Sequence, residues 1–169
     1  SDVCSSDLDD SIEGPAPCGH DTIGVLGRDA SGRLGAASST SGLPFKVPGR
    51  VGDSPIAGHG LFVEPGVGQA MATGTGELIS GICASVVAVE VLRRGGSPQD
   101  AVIETLRRVE AIGDLRPHHQ VGVVVMTADG SVATGGFRPG FLVAIRDESG
   151  GRLQEPEIVL RPDDDGLPE

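Results

Sequence analysis

Apolar and polar positions alternate with a period of two from Thr22 to Leu26, which predicts a strand. Arg28–Gly32, with Asp29 and the Ser31-Gly32 pair, reads as a turn, and Arg33–Ser39 as the partner strand. The small residues from Gly35 to Thr40 suit tight packing. Ser41 to Ser54 holds three glycines and two prolines, Pro44 and Pro48, and reads as a loop. Ala57–Val63 and Gln69–Thr73 read as two further strands. The period then turns helical. Leu78, Ile79, Ile82, Cys83, Val86, Val87 and Val91 predict one helix from about Glu77 to Arg94, buried on more than one side. Arg93-Arg94 suit its C-terminal end, and Gly95-Gly96 close it. Ser97-Pro98-Gln99-Asp100 is a start signal, with a Ser cap, Pro at the first helical position and an acid at the third. That second helix runs to about Ala111, with Val102, Leu106 and Val109 on one face and Arg107-Arg108 outside. Strands follow at Val121–Thr127, Ser131–Gly135 and Phe141–Arg146, with turns at Ala128-Asp129-Gly130 and Asp147–Gly151. Strands, two helices and strands again, without an internal repeat, predict a layered α+β fold.

Composition narrows this picture. The 169 residues suffice for one domain with a real core. With four Phe and no Tyr or Trp, that core must come from Val, Ile, Leu and Ala. A formal net charge of −11 argues against a nucleic-acid partner, since phosphate binding needs a basic face. No apolar run approaches the ~18 residues of a membrane span. Cys4, Cys18 and Cys83 lack metal-type spacing and form no disulfide framework. Residues 1–19 are rich in Ser, Asp, Gly and Pro and are expected to be a disordered tail. Within it Ser1–Leu8 reads as a translated sequencing adapter, an artefact outside the fold. Residues 20–160 are expected to hold the folded part, and residues 161–169 an acidic tail.

The candidate chemistry centres on His20-Asp21-Thr22-Ile23-Gly24. Thr22 alone is either an ordinary strand entry or a cleavage point whose new N-terminus is a nucleophile. Cleavage after Asp21 would give Thr22 a free α-amine of pKa ~7.7–8.0, a base on the same residue as the hydroxyl. An oxyanion hole needs N–H or hydroxyl donors, which Thr73-Gly74-Thr75-Gly76 can present at a strand-to-helix junction; the same residues could also be a helix-cap turn. Arg50-Val51-Gly52-Asp53 puts one charge of each sign in one loop. Arg suits a carboxylate and Asp an ammonium, which fits an amino-acid head, though the two could also be a surface pair. Gly74-x-Gly76 lacks the third glycine of a dinucleotide fingerprint. His118-His119, adjacent on an extended segment, point opposite ways and read as an exposed pair before a strand rather than metal ligands. His59 reads as structural, and Cys83 as a small hydrophobe in a buried helical run.

Three spaced motifs together are more specific than any one. His20-Asp21-Thr22-Ile23-Gly24, the run from Lys46 through Gly49-Arg50-Val51-Gly52-Asp53-Ser54-Pro55 to Gly60, and Ala72-Thr73-Gly74-x-Gly76-Glu77 resemble the glycosylasparaginases. These are N-terminal-nucleophile hydrolases of the asparaginase type 2 superfamily, and the likeness runs from about His20 to Leu153. The resemblance implies an αββα four-layer sandwich, incomplete here because most of the α subunit is absent. It implies that Thr22 is the nucleophile, freed by self-cleavage aided by His20 and Asp21, and that the Thr40 hydroxyl supports it. Arg50 and Asp53 would hold the substrate's α-carboxylate and α-amino groups, with Gly76 beside the latter, and Thr73 and Gly74 would form the oxyanion hole. The implied reaction cleaves the β-amide of N-acetylglucosaminyl-asparagine without metal or organic cofactor. The implied partners are a small-molecule substrate, an α subunit cut from the same precursor, and a second αβ unit.

Two rivals stand beside it. An isoaspartyl peptidase or plant-type asparaginase shares the Arg50–Asp53 and Thr73–Gly76 motifs, but His20-Asp21 and Gln120-Val121-Gly122 favour glycosyl-asparagine. The other rival is a non-catalytic fragment, or an amino-acid-binding subunit that needs its α partner. The compartment is left open, because any signal peptide would lie upstream.

Overall fold

A computed structural model describes residues 22–162. β1 (Ile23–Arg28) and β2 (Leu34–Ser39) form an antiparallel hairpin, in register from Ile23↔Ser39 to Arg28↔Leu34. β3 (Leu61–Glu64) and β4 (Gly68–Gly74) lead into the helices α1 (Gly76–Ile82), α2 (Ala84–Arg93) and α3 (Pro98–Ala111). β5 (Val121–Thr127), β6 (Val132–Gly136), β7 (Val143–Asp147), β8 (Gly150–Gln154) and the short β9 (Ile158–Val159) complete the order. The central sheet runs β3-β4-β5-β6-β9, antiparallel except for the β6–β9 pair. β7 and β8 form a second separate hairpin.

The period of two in β4 and β5 sorts their side chains onto two faces. Ala70, Ala72, Val121, Val123 and Val125 point to the helices and join Ile79, Ala88, Val89, Val102, Leu106 and Val109 in the core. Gln69, Met71 and Thr73 point the other way, toward β1 and β2. Gln69, fully buried, donates from Nε2 to the Gly27 carbonyl at 2.9 Å and so ties the hairpin to the sheet. The layers are therefore helices, the five-stranded sheet, and the hairpins. On β1 the inward positions are Gly24 and Leu26, while Ile23 and Val25 face out at 64% and 57% exposure. Among the described residues no helix is long and apolar enough to cross a membrane.

α3 follows its sequence signal closely. Ser97 Oγ accepts from Asp100 N at 3.1 Å and Asp100 Oδ2 accepts from Ser97 N at 2.9 Å, a reciprocal capping box with Pro98 in the first turn. The single helix expected from Glu77 to Arg94 is instead two, broken at Cys83, whose φ of 53° is left-handed. The cause lies upstream in the chain. Gly58 O accepts from Val86 N at 3.0 Å, and His59 O accepts from Ser85 N and, at 2.7 Å, from Ser85 Oγ. These loop carbonyls satisfy the first amides of α2, so the chain can restart a helix there. Cys83 is accordingly exposed at the break rather than buried as a small hydrophobe. The strand expected from Ala57 also starts late: Ala57 makes one isolated bridge to Leu61, and Ala57–Gly60 is the segment that caps α2.

A candidate site shared by two threonines, an arginine and a buried aspartate

Thr22 precedes β1 and Thr40 follows β2, so the antiparallel register, with Ile23 opposite Ser39, sets both at the open end of the hairpin and brings their side chains together. The Thr22 hydroxyl donates to the Thr40 hydroxyl at 2.9 Å, and Thr40 Oγ1 also accepts from Gly42 N at 2.9 Å. Both threonines line a cleft of about 510 Å³ with Arg50, Asp53, Gly74, Gly76, Glu77, Lys46 and His119 among its walls.

The loop after β2 is fixed where it carries charge. Ser38 Oγ donates to the Ser54 carbonyl at 3.0 Å, and the Asp53 carbonyl accepts from Ile56 N and Gly60 N. Asp53 is thereby sunk to 6% exposure, and its Oδ2 has no partner among the described residues. Burial pushes its pKa above the ordinary aspartate value, and nearby Glu77 adds to this. Backbone N–H groups and the charge of Arg50 only partly oppose the shift. Arg50 does not pair with Asp53. Its Nε and Nη2 both donate to Glu77 Oε1, at 3.0 and 2.7 Å. Partial burial works against ionised Glu77, but the Arg50 hydrogen bonds, its own backbone and the charges of Arg50 and His119 outweigh that, so its pKa lies low.

Two glycines make the fourth wall. Gly74 has φ +121°, and a Cβ there would lie 2.1 Å from the Gln120 carbonyl, so no side chain fits. A Cβ on Gly76 would meet Asp53 Oδ1 at 2.7 Å and Arg50 Nη2 at 3.0 Å. Gln120 clamps this junction. It exchanges backbone hydrogen bonds with Thr75, through Thr75 N at 2.7 Å and Thr75 Oγ1 at 3.2 Å, while its side-chain amide donates to the Arg138 and Pro139 carbonyls. Thr75 occupies the N-cap position of α1, yet its hydroxyl makes no cap bond to that helix.

The cleft therefore brings together Thr22, Thr40, Arg50, Asp53, Gly74 and Gly76. Thr73 is set apart: it lines a second cleft of about 380 Å³, otherwise mostly apolar, between β1, the sheet and β7–β8. Thr22 lines both clefts. His20 and Asp21 lie outside the described residues. His118 and His119 do precede β5, but they also form the rim of the first cleft. Burial lowers the pKa of His119, whose Nδ1 accepts from Arg116 N at 3.1 Å. Among the described residues no cluster of three or more His, Cys, Asp or Glu could hold a metal ion. The residue that sequence reasoning passed over is Glu77. Its signal was an acid directly after Gly76 in the third motif, 27 residues from the arginine it binds.

Comparison with known proteins gives consistent relatives. A family model described as asparaginase matches residues 5–152. The N(4)-(beta-N-acetylglucosaminyl)-L-asparaginase of Elizabethkingia miricola is 39% identical over 146 residues, covering 84% of this chain and 43% of that protein. A putative N(4)-(beta-N-acetylglucosaminyl)-L-asparaginase of Drosophila yakuba is 47% identical over 90 residues, 53% of this chain and 23% of that one. An L-asparaginase-like protein of Drosophila pseudoobscura pseudoobscura is 39% identical over 140 residues, 80% of this chain and 29% of that one. The chain spans less than half the length of each of these relatives.

Proposed function

The chain belongs to the asparaginase type 2 family, and we propose that it carries the nucleophile and amino-acid seat of a glycosylasparaginase with an αββα sandwich fold. The observation that carries this reading is the hydroxyl pair Thr22–Thr40 on the same cleft as a guanidinium and a buried carboxylate whose Oδ2 meets no donor among the described residues. A buried carboxylate oxygen without a donor calls for one. The ammonium of an amino-acid head supplies it, while Arg50 takes the α-carboxylate.

The reaction then runs as acyl transfer. A cut between Asp21 and Thr22, with Asp21 as base and His20 beside it, frees the Thr22 α-amine. That amine takes the Thr22 hydroxyl proton, and Oγ1 bonds to the β-amide carbonyl carbon. The Thr40 hydroxyl turns to donate to Thr22 Oγ1, Gly74 N–H takes the oxyanion from the first cleft, and the Thr73 hydroxyl joins it from the second, past Thr22, which borders both. The ammonium returns its proton to the leaving nitrogen as the C–N bond breaks. Water, deprotonated by the same amine, opens the β-aspartyl ester and releases aspartate. The substrate class is N-acetylglucosaminyl-asparagine. The outward side chains Ile23 and Val25 and the apolar second cleft support the further proposal that an α segment of the same precursor covers this face. The assembly proposed is a dimer of such αβ units.

The test is intact-mass spectrometry of the full-length protein, followed by parallel assays on a glycosyl-asparagine and a β-aspartyl dipeptide. A break between Asp21 and Thr22, faster turnover of the glycosyl-asparagine, and loss of both with Thr22→Val are expected. An uncut yet folded full-length protein, or a Thr22→Val variant that still hydrolyses, overturns the nucleophile. Faster turnover of the dipeptide moves the protein to the isoaspartyl peptidases, and aspartate binding without cleavage makes it a binding subunit.

A further inference from the structure

Arg50 and Asp53 are opposite charges on the cleft that approach one point: a single carbon on Gly76 would lie within 3.0 Å of both side chains. Opposite charges this close, one of them buried with an oxygen that no donor meets among the described residues, attract strongly. Yet they form no ion pair, because Glu77 holds the guanidinium by Nε and Nη2. Among the described residues Glu77 accepts every side-chain hydrogen bond that Arg50 makes. Two of the five guanidinium N–H groups are spent there, on one edge. The remaining edge, Nη1 with the second Nη2 hydrogen, is free to meet a carboxylate in two-pronged geometry. Nη1 lies beside Gly52, where a Cβ would come within 2.7 Å, so the backbone bounds that side of the fork.

We propose that Glu77 is a positioning residue: it keeps Arg50 off Asp53 and aims its free edge into the cleft, so that one charge serves each end of an amino-acid head. This deepens the hydrolase reading and rests on it. Without Glu77 the nearest anion for Arg50 is Asp53, and their pairing would remove both holders at once. The Glu77 side chain is itself 62% exposed, so its ion pair contributes little to stability.

The test compares L-aspartate with β-alanine, which keeps the amine and the distal carboxylate but lacks the α-carboxylate. Calorimetry on the full-length protein gives the ratio of the two affinities. Glu77→Ala is expected to shrink the preference for aspartate roughly tenfold to a hundredfold. Its melting temperature is expected to move by no more than about 2 °C. Glu77→Gln, whose Oε1 can still accept both N–H groups, is expected to keep the preference within about threefold. Should the alanine variant fail to fold, Glu77→Met, of similar length but without an acceptor, takes its place. An unchanged preference in either acceptor-free variant overturns the proposal, as does an equal loss in Glu77→Gln, which would make charge rather than aim the contribution. A wild-type protein that cleaves no glycosyl-asparagine but prefers aspartate, and loses that preference with Glu77→Ala, sinks the hydrolase reading and leaves the role of Glu77 intact.

Discussion

Asp53 is a carboxylate kept where a carboxylate is uncomfortable. Burial raises its pKa, so its contribution to stability is fully present below the ordinary value of 3.8 and is lost as pH rises through the raised one. At neutral pH the ionised, half-satisfied side chain is a cost that the proposed amino-acid ammonium would offset. Asp53→Asn is therefore expected to raise the melting temperature at pH 7 by roughly 3 °C. The same change is expected to weaken aspartate binding roughly a hundredfold. The melting difference should vanish as pH falls toward 3.8, and calorimetric scans at several pH values check it. Most of the cleft was legible at this scale, because hydroxyls, an arginine, an aspartate and glycines in loops announce themselves by type and spacing. The partner of Arg50 was not. Asp53, three residues away, was the natural candidate, and only the turn at Asp53–Gly60, which buries Asp53, and the approach of α1 hand the guanidinium to Glu77. Thr73 shows the same limit: a strand residue next to Gly74 faces the other side of the sheet, and the period of two puts it on a different cleft.

One local device recurs among the elements. Asp29-Ala30-Ser31, Asp129-Gly130-Ser131 and Asp147-Glu148-Ser149 close three of the hairpins, β1–β2, β5–β6 and β7–β8, with each Asp Oδ1 accepting from the serine N–H at 2.8, 3.0 and 2.9 Å. Such turns ask for Asp followed by a small polar residue, which is why their positions were readable in advance. The Ser31 hydroxyl foremost, with Arg33, holds Asp29 at a pKa of about 2. Arg152 foremost, with Ser149, holds Asp147 at about 2. A depressed carboxylate stabilises above its unfolded value and loses that stabilisation as pH falls through the folded one. Both turns are thus expected to loosen between about pH 4 and pH 2, with the amide resonances of Ser31 and Ser149 moving together in an NMR titration. An unshifted Ser149 across that range would contradict the assignment. The break at Cys83 was not readable, since neither Gly nor Pro marks it and its cause is a pair of carbonyls more than twenty residues upstream. β8 was missed because Gly-Gly-Arg-Leu-Gln has no clear alternation, and β9 because two residues carry no period.

Across the whole molecule the core is one-sided. Helices and sheet share a continuous interior, whereas the hairpin side shows Ile23, Val25, Leu142 and Leu153 more than half exposed. These four side chains line one cleft, and a surface in water rarely gathers so many exposed apolar groups in one place. Residues 22–162 produced alone are expected to bind the dye ANS and to self-associate, despite the acidic character of the chain, and the full-length protein is expected to do neither. Dye fluorescence and light scattering on the two preparations check this, and equal behaviour would show that the hairpin face needs no cover. The layered α+β class was legible from the order of elements, but this openness was not, because the outward side chains of β1 look from the sequence like any other half of an alternating strand.

Thr22 stands on the ridge between the two clefts, with polar walls on one flank and greasy ones on the other. Whatever beds down on the greasy flank ends against the same side chain that looks into the polar one. On the proposed reading, the segment that covers the greasy flank and the bond to be cut in the polar one would therefore meet at a single hydroxyl.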